Sequence, residues 1–127
     1  MPTTVRAAAI QWLASKFGDS GNIVCASKLY IPQKSWTQRS AWWLEIPLQA
    51  FEKPRSNEID LLCEVLPGAN KFYYLKVPIE FFKKELPTLC VRKNGRLSLF
   101  LSAEPEEMFV EQRGNGRVGF GRFLMTR

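Results

Sequence analysis

The sequence predicts an α+β domain: a mainly antiparallel or mixed sheet of five to seven strands, with two or three helices. Three observations carry that reading. Residues 5–17 place apolar side chains at helical spacing and stop at Gly18. The stretches that follow alternate apolar with polar residues, or concentrate β-branched and aromatic ones. The pairs Pro67-Gly68 and Asn94-Gly95 separate neighbouring stretches as hairpin turns. A chain of 127 residues is the size of one domain, 1–127, and its 46% hydrophobic and 24% charged content lets it bury a core.

Thr3 or Thr4 is the expected cap of the first helix, whose apolar positions are Val5, Ala9, Trp12, Leu13 and Phe17. Residues 23–31 read as one strand, with Ile23, Cys25, Leu29 and Ile31 on one side, ended by Pro32. Residues 40–51 form the next, with Trp42, Leu44, Ile46 and Leu48 sharing a face, and Pro47 puts it at a sheet edge or on a bulge. After the charged loop around Pro54, residues 58–66 bury Ile59, Leu61, Cys63 and Val65, and residues 71–77 pair with them across Pro67-Gly68. Pro78 opens a short helix, 79–86, that Pro87 closes. Asn94-Gly95 then joins 89–92 to 96–102, because both residues accept the positive φ of a tight turn. A last helix is expected from Glu104-Pro105 to Gln112, followed by a segment, 112–127, rich in Gly and Arg. That segment reads either as a glycine-bent strand, 118–125, docking Phe120, Phe123 and Leu124, or as a ligand-gripping tail.

There is no histidine. That excludes every mechanism using imidazole as base, nucleophile partner or metal ligand. Cys25, Cys63 and Cys90 are too widely spaced for a zinc or redox motif, and as an odd set in apolar strands they read as reduced, buried thiols. The first residues lack a secretory pattern and no stretch is apolar for the ~20 residues a membrane span needs. A cytoplasmic protein with no membrane partner is expected.

The net charge of +6 is unevenly distributed. Residues 1–44 carry five basic side chains against one acid, residues 45–111 nine against eleven, and residues 112–127 four arginines and no acid. The first end interleaves Lys28, Lys34 and Arg39 with Tyr30, Trp36, Trp42 and Trp43; the second sets Arg113, Arg117 and Arg122 among glycines and Phe120. Cations attract phosphates and exposed rings stack on bases, so both ends are candidate nucleic-acid contacts: Lys28, Lys34, Trp36, Arg39, Arg113, Arg117 and Arg122. Taken singly, Trp42 and Tyr30 read more simply as core, and Trp43 as the cover of a sheet face. Trp36 differs because its loop is polar.

With histidine absent, the remaining catalytic option is a carboxylate cluster holding Mg²⁺ for phosphodiester hydrolysis. Glu45, Asp60 and Glu64 are the candidates, although Asp60 and Glu64, opposite Ile59, Leu61 and Cys63, read more simply as a solvated face. No Walker-type loop is present, and the glycines of 114–119 match a dinucleotide fingerprint in spelling only. In the order of its elements over 3–86 and in the phrases at 41–47 and 72–78, the chain resembles the restriction-endonuclease-like, or PD-(D/E)XK, nuclease superfamily. The resemblance implies nucleic-acid cleavage by an acid on one strand and an acid-X-lysine on the next. No Asp or Glu here precedes a lysine by two residues, and Lys76 is the substitute the resemblance offers. The expectation is therefore a small module that binds nucleic acid without cleaving it, a degenerate relative of such nucleases. The alternatives are a protein-interaction or inhibitory domain anchored by exposed tryptophans, and a metal-dependent nuclease.

Overall fold

The computed structural model describes residues 5–18, 21–33, 39–52, 56–68, 70–114 and 116–125. The first helix, α1 (Val5–Phe17), forms as its periodicity requires: Ala9 and Leu13 are buried, with Val5, Ala8 and Trp12 packed beside them on Leu62, Phe72 and Tyr74. It ends where Gly18 takes φ +82° and donates its N–H to the Ala14 carbonyl, a turn that only glycine makes without strain. The expected caps, Thr3 and Thr4, lie outside the described residues.

Where one strand is expected over 23–31, two form: β1 (Ile23–Ser27) and β2 (Leu29–Tyr30). The chain changes sheets at Lys28. Ser27 Oγ donates to the Lys28 carbonyl at 2.7 Å and accepts the Trp43 N–H at 2.9 Å, while the Leu29 N–H is taken by Glu64 Oε1 at 2.9 Å. Side chains thus satisfy the backbone groups that a continuous ladder would have used.

β1 lies parallel to β4 (Glu58–Glu64), which pairs antiparallel with β5 (Phe72–Pro78) across Gly68, giving a first sheet ordered β1-β4-β5. β2 pairs with β3 (Ala41–Pro47), β3 with β7 (Arg96–Ser102), and β7 with β6 (Cys90–Val91), giving a second sheet ordered β2-β3-β7-β6. The Asn94-Gly95 hairpin forms, with Gly95 at φ +78°. The α+β class holds, with seven strands in two mixed or antiparallel sheets and three helices among the described residues: α1, α2 (Gln49–Glu52) and α3 (Ile79–Glu85).

The main core lies between the sheets. Trp42, Leu44 and Ile46 from β3, Ile59 and Leu61 from β4, Leu75 from β5 and Leu97, Leu99 and Leu101 from β7 are essentially solvent-free, closed by Phe82 and Phe120. Cys25 and Cys63 are buried, whereas Cys90 is half-buried, against the expectation for all three.

Two further expectations fail, each for its own reason. The strand over 40–51 stops at Pro47 and gives way to the single turn α2, and beyond Trp42 only β7 pairs with it among the described residues, so Pro47 lies on an open edge as its missing N–H demands. The helix expected over 104–112 is a 3-10 turn, Pro105–Glu107, followed by extended chain. There the Phe109 and Gln112 N–H groups donate to the Ser102 and Phe100 carbonyls, and the Ser102 N–H to the Val110 carbonyl. Those groups belong to the part of β7 that the two-residue β6 leaves unpaired. Satisfying them outweighs local helix formation, and it stacks Phe109 on Trp42, ring centroids 5.2 Å apart. Residues 118–125 likewise form bridges and a 3-10 turn, Gly121–Phe123, instead of a strand, although Phe120 docks in the core as expected.

Candidate nucleic-acid interface

The carboxylates come first, because the fold disposes of them. β4 is the middle strand of the first sheet, and α1 covers the face that carries Asp60, Leu62 and Glu64. That face is therefore interior and not solvated. Asp60, fully buried, accepts from Asn22 Nδ2 at 3.1 Å and the Tyr74 hydroxyl at 3.0 Å. Burial first, and then the charge and hydrogen bond of Asp60, push the Tyr74 phenol well above its ordinary range. Glu64 accepts the N–H groups of Leu29 and Gly68, the latter at 3.1 Å. Glu45 stands on the other sheet, paired with Arg92 at 3.3 Å. Glu45, Asp60 and Glu64 are not brought together, and among the described residues no three His, Cys, Asp or Glu side chains form a group able to hold a metal ion. Asp60 and Glu64 tie the fold. Lys76, the register partner of Asp60, pairs with Glu58 at 3.7 Å.

The cations are arranged differently. Lys34 and Trp36 lie outside the described residues. Lys28 Nζ sits 5.1 Å from the centre of the Tyr30 ring on β2. Arg39, just before β3, and Arg117, in the tail, bond the two oxygens of one carboxylate, Glu107. Arg113 lies 5.9 Å from the Trp43 ring and Arg92 5.7 Å from it, so a tail arginine and a hairpin arginine share one indole. The Trp43 Nε1–H donates to Ser98 Oγ at 2.7 Å, which fixes the ring across the outer face of the second sheet. Arg122 belongs elsewhere: its guanidinium lies over Phe81 and Phe123, at 4.7 and 4.9 Å.

The tail is held in place from below. Glu111, 1% exposed, accepts the N–H groups of Phe100 at 2.7 Å and Arg113 at 2.8 Å, and that of Gly114. A Cβ at Gly114 would overlap the Thr88 carbonyl oxygen, and one at Gly116 the Thr88 side chain. The close approach that these glycines permit is to the chain itself, so at these two positions glycine serves packing.

Beside Trp43 the two sheets part. Among the described residues β1 has no ladder partner on its outer edge and β3 has none beyond Trp42, and between them opens a cleft of about 480 Å³ lined by Arg6, Cys25, Tyr30, Trp43, Glu45 and Arg96, among others. Arg6 Nε donates to the Val24 carbonyl on the β1 edge at 3.4 Å. Among the described residues Arg96 makes no ion pair. Burial pushes the Cys25 thiol up to about 11, so it stays protonated and unreactive near neutrality.

The sequence singles out Lys28, Arg39, Arg113 and Arg117 but misses Arg6, Arg92 and Arg96. Arg92 and Arg96 flank the Asn94-Gly95 turn, and that turn was their only signal. That they sit beside Trp43 follows from the pairing of β3 with β7, which is not a local property. Chemically the region offers guanidinium groups, two aromatic rings and open strand edges, which are the means of recognising an anionic ligand. Compared with protein-family models, curated proteins and solved structures, the chain matches none of them.

Proposed function

We propose that this chain is a module that binds nucleic acid without cleaving it, through the outer face of the second sheet and the cleft beside it. The observation that supports this is the meeting of the two cationic ends: Arg39 with Arg117 on Glu107, and Arg113 on Trp43, where Arg92 of the hairpin joins them. Only Glu45 and Glu107 offset these four arginines among the pairs they form. Fluorescence anisotropy with a labelled oligonucleotide over a salt series tests it. Affinity should fall linearly on a log–log plot, by about 0.7 to 0.9 per phosphate contacted, and Arg113→Glu with Arg117→Glu should abolish binding. An affinity indifferent to salt, or to that double reversal, overturns the proposal.

A second reading, a protein-interaction domain, rests on a different surface. Trp12, Phe17, Phe72 and Met125 line an apolar groove of about 630 Å³ between α1 and the first sheet, with Phe17 and Met125 about half exposed. Phe17→Ser separates the two readings, since it alters the groove and leaves the arginines untouched. No helix among the described residues is long and apolar enough to cross a membrane.

A further inference from the structure

We infer that the nucleic acid is recognised as a single strand, with an unstacked base entering the cleft between Tyr30 and Trp43. The inference rests on the nucleic-acid reading above and specifies the form of the ligand. Its first support is shape. The cleft is a gap between two strand edges, concave, and of the volume of a small-molecule site. A duplex keeps its bases stacked inside and offers such a cleft only its backbone; a single strand can turn a base in. Its second support is the lining. Two rings, Tyr30 and Trp43, line the cleft, each with a cation beside it, and stacking of a base on such rings tolerates every sequence.

The third support is charge. Arg6 and Arg96 line the same cleft, Arg92 and Arg113 lie over the Trp43 ring beside it, and Lys28 lies at Tyr30. Glu45, the one acid in the lining, is occupied by Arg92. Bases inside and guanidinium groups around them match a strand whose phosphates track the rim while its bases turn inward. The strand edges add a fourth element. Among the described residues the outer edge of β3 has no ladder partner beyond Trp42; Ser27 Oγ takes the Trp43 N–H, and the backbone groups of Glu45 remain beside the cleft where base edges carry donors and acceptors.

The test compares two fluorescein-labelled probes at low salt, an oligothymidylate and a hairpin duplex of equal nucleotide number. The oligothymidylate should bind about tenfold tighter or better. Tyr30→Leu and Arg96→Gln should each weaken the oligothymidylate severalfold and leave the duplex unchanged. Tyr30 is half-buried in a two-residue strand and Arg96 is exposed, so both variants should fold, which circular dichroism checks. Equal affinity for the two probes, or variants that weaken both alike, overturns the single-strand inference and leaves nucleic-acid binding standing. Binding to neither probe overturns the nucleic-acid reading itself, and this inference with it.

Discussion

Glu64 and Glu45 are both strand carboxylates, yet one is almost solvent-free and holds two backbone N–H groups, while the other faces the cleft and pairs with an arginine. The difference lies in their sheets. The first sheet is covered twice, by α1 on one face and by the second sheet on the other, so every polar group on β4 must find a partner within the protein. The second sheet turns only Trp42, Leu44 and Ile46 inward from β3 and leaves Trp43 and Glu45 on its outer face. Asp60 and Glu64 on the first sheet are structural ties; Trp43 and Glu45 stand on the outer face of the second, beside Arg92 and Arg113.

Substitutions should separate the two sheets by what they damage. The largest effect is expected at Asp60. Asp60→Ala removes the acceptor shared by Asn22 and Tyr74, and should cost about 3 kcal/mol in a urea titration. A stability unchanged within error would show that Asp60 is not a tie and would reopen the comparison.

Next comes pH. Burial raises the Cys25 thiol from 9.0 to about 11, and it raises Cys63 and Tyr74 in the same direction. Each binds its proton more tightly folded than unfolded, so their contribution is fully present below about pH 9 and is lost as pH rises from there. Melting temperature should therefore be flat in these groups up to about pH 8 and drop above 9, with Cys25 alone accounting for about 1 kcal/mol by pH 10. Cys25→Ala should shallow that decline; an identical decline would remove Cys25 from the account.

The smallest effect on stability is expected on the second sheet. Arg39→Ala breaks an exposed ion pair to Glu107 and should cost at most about 1 kcal/mol. It should nevertheless weaken oligonucleotide binding and lower the salt slope by about one. If Arg39→Ala destabilises as much as Asp60→Ala, the second face is structural as well.

Some of this was legible in advance. The end of α1 at Gly18 and the turns at Gly68 and Gly95 were read correctly, because each depends on a glycine adopting positive φ within a few residues. The burial of Asp60 and Glu64 was missed although a clue was present. Leu62 lies between them on the same face, and a strand apolar on both sides is an interior strand. The break at Lys28 was also missed: the apolar side of residues 23–31 is interrupted at Ser27, but the division itself depends on Ser27 meeting Trp43 from another part of the chain. Residues 104–112 were misread as helix because their partner, the open edge of β7, exists only once the hairpin has formed.

By itself the sequence determined the α+β class, the places where the chain turns, the absence of imidazole chemistry and the confinement of excess positive charge to two ends. Each of these is written in composition or in the steric preferences of neighbouring residues. Only the tertiary structure decided that Asp60 and Glu64 are spent on the fold and that the cationic ends meet on Glu107 and Trp43. Those outcomes depend on which strand edges pair across long stretches of chain, and burial and charge proximity follow from that pairing, not from any local pattern.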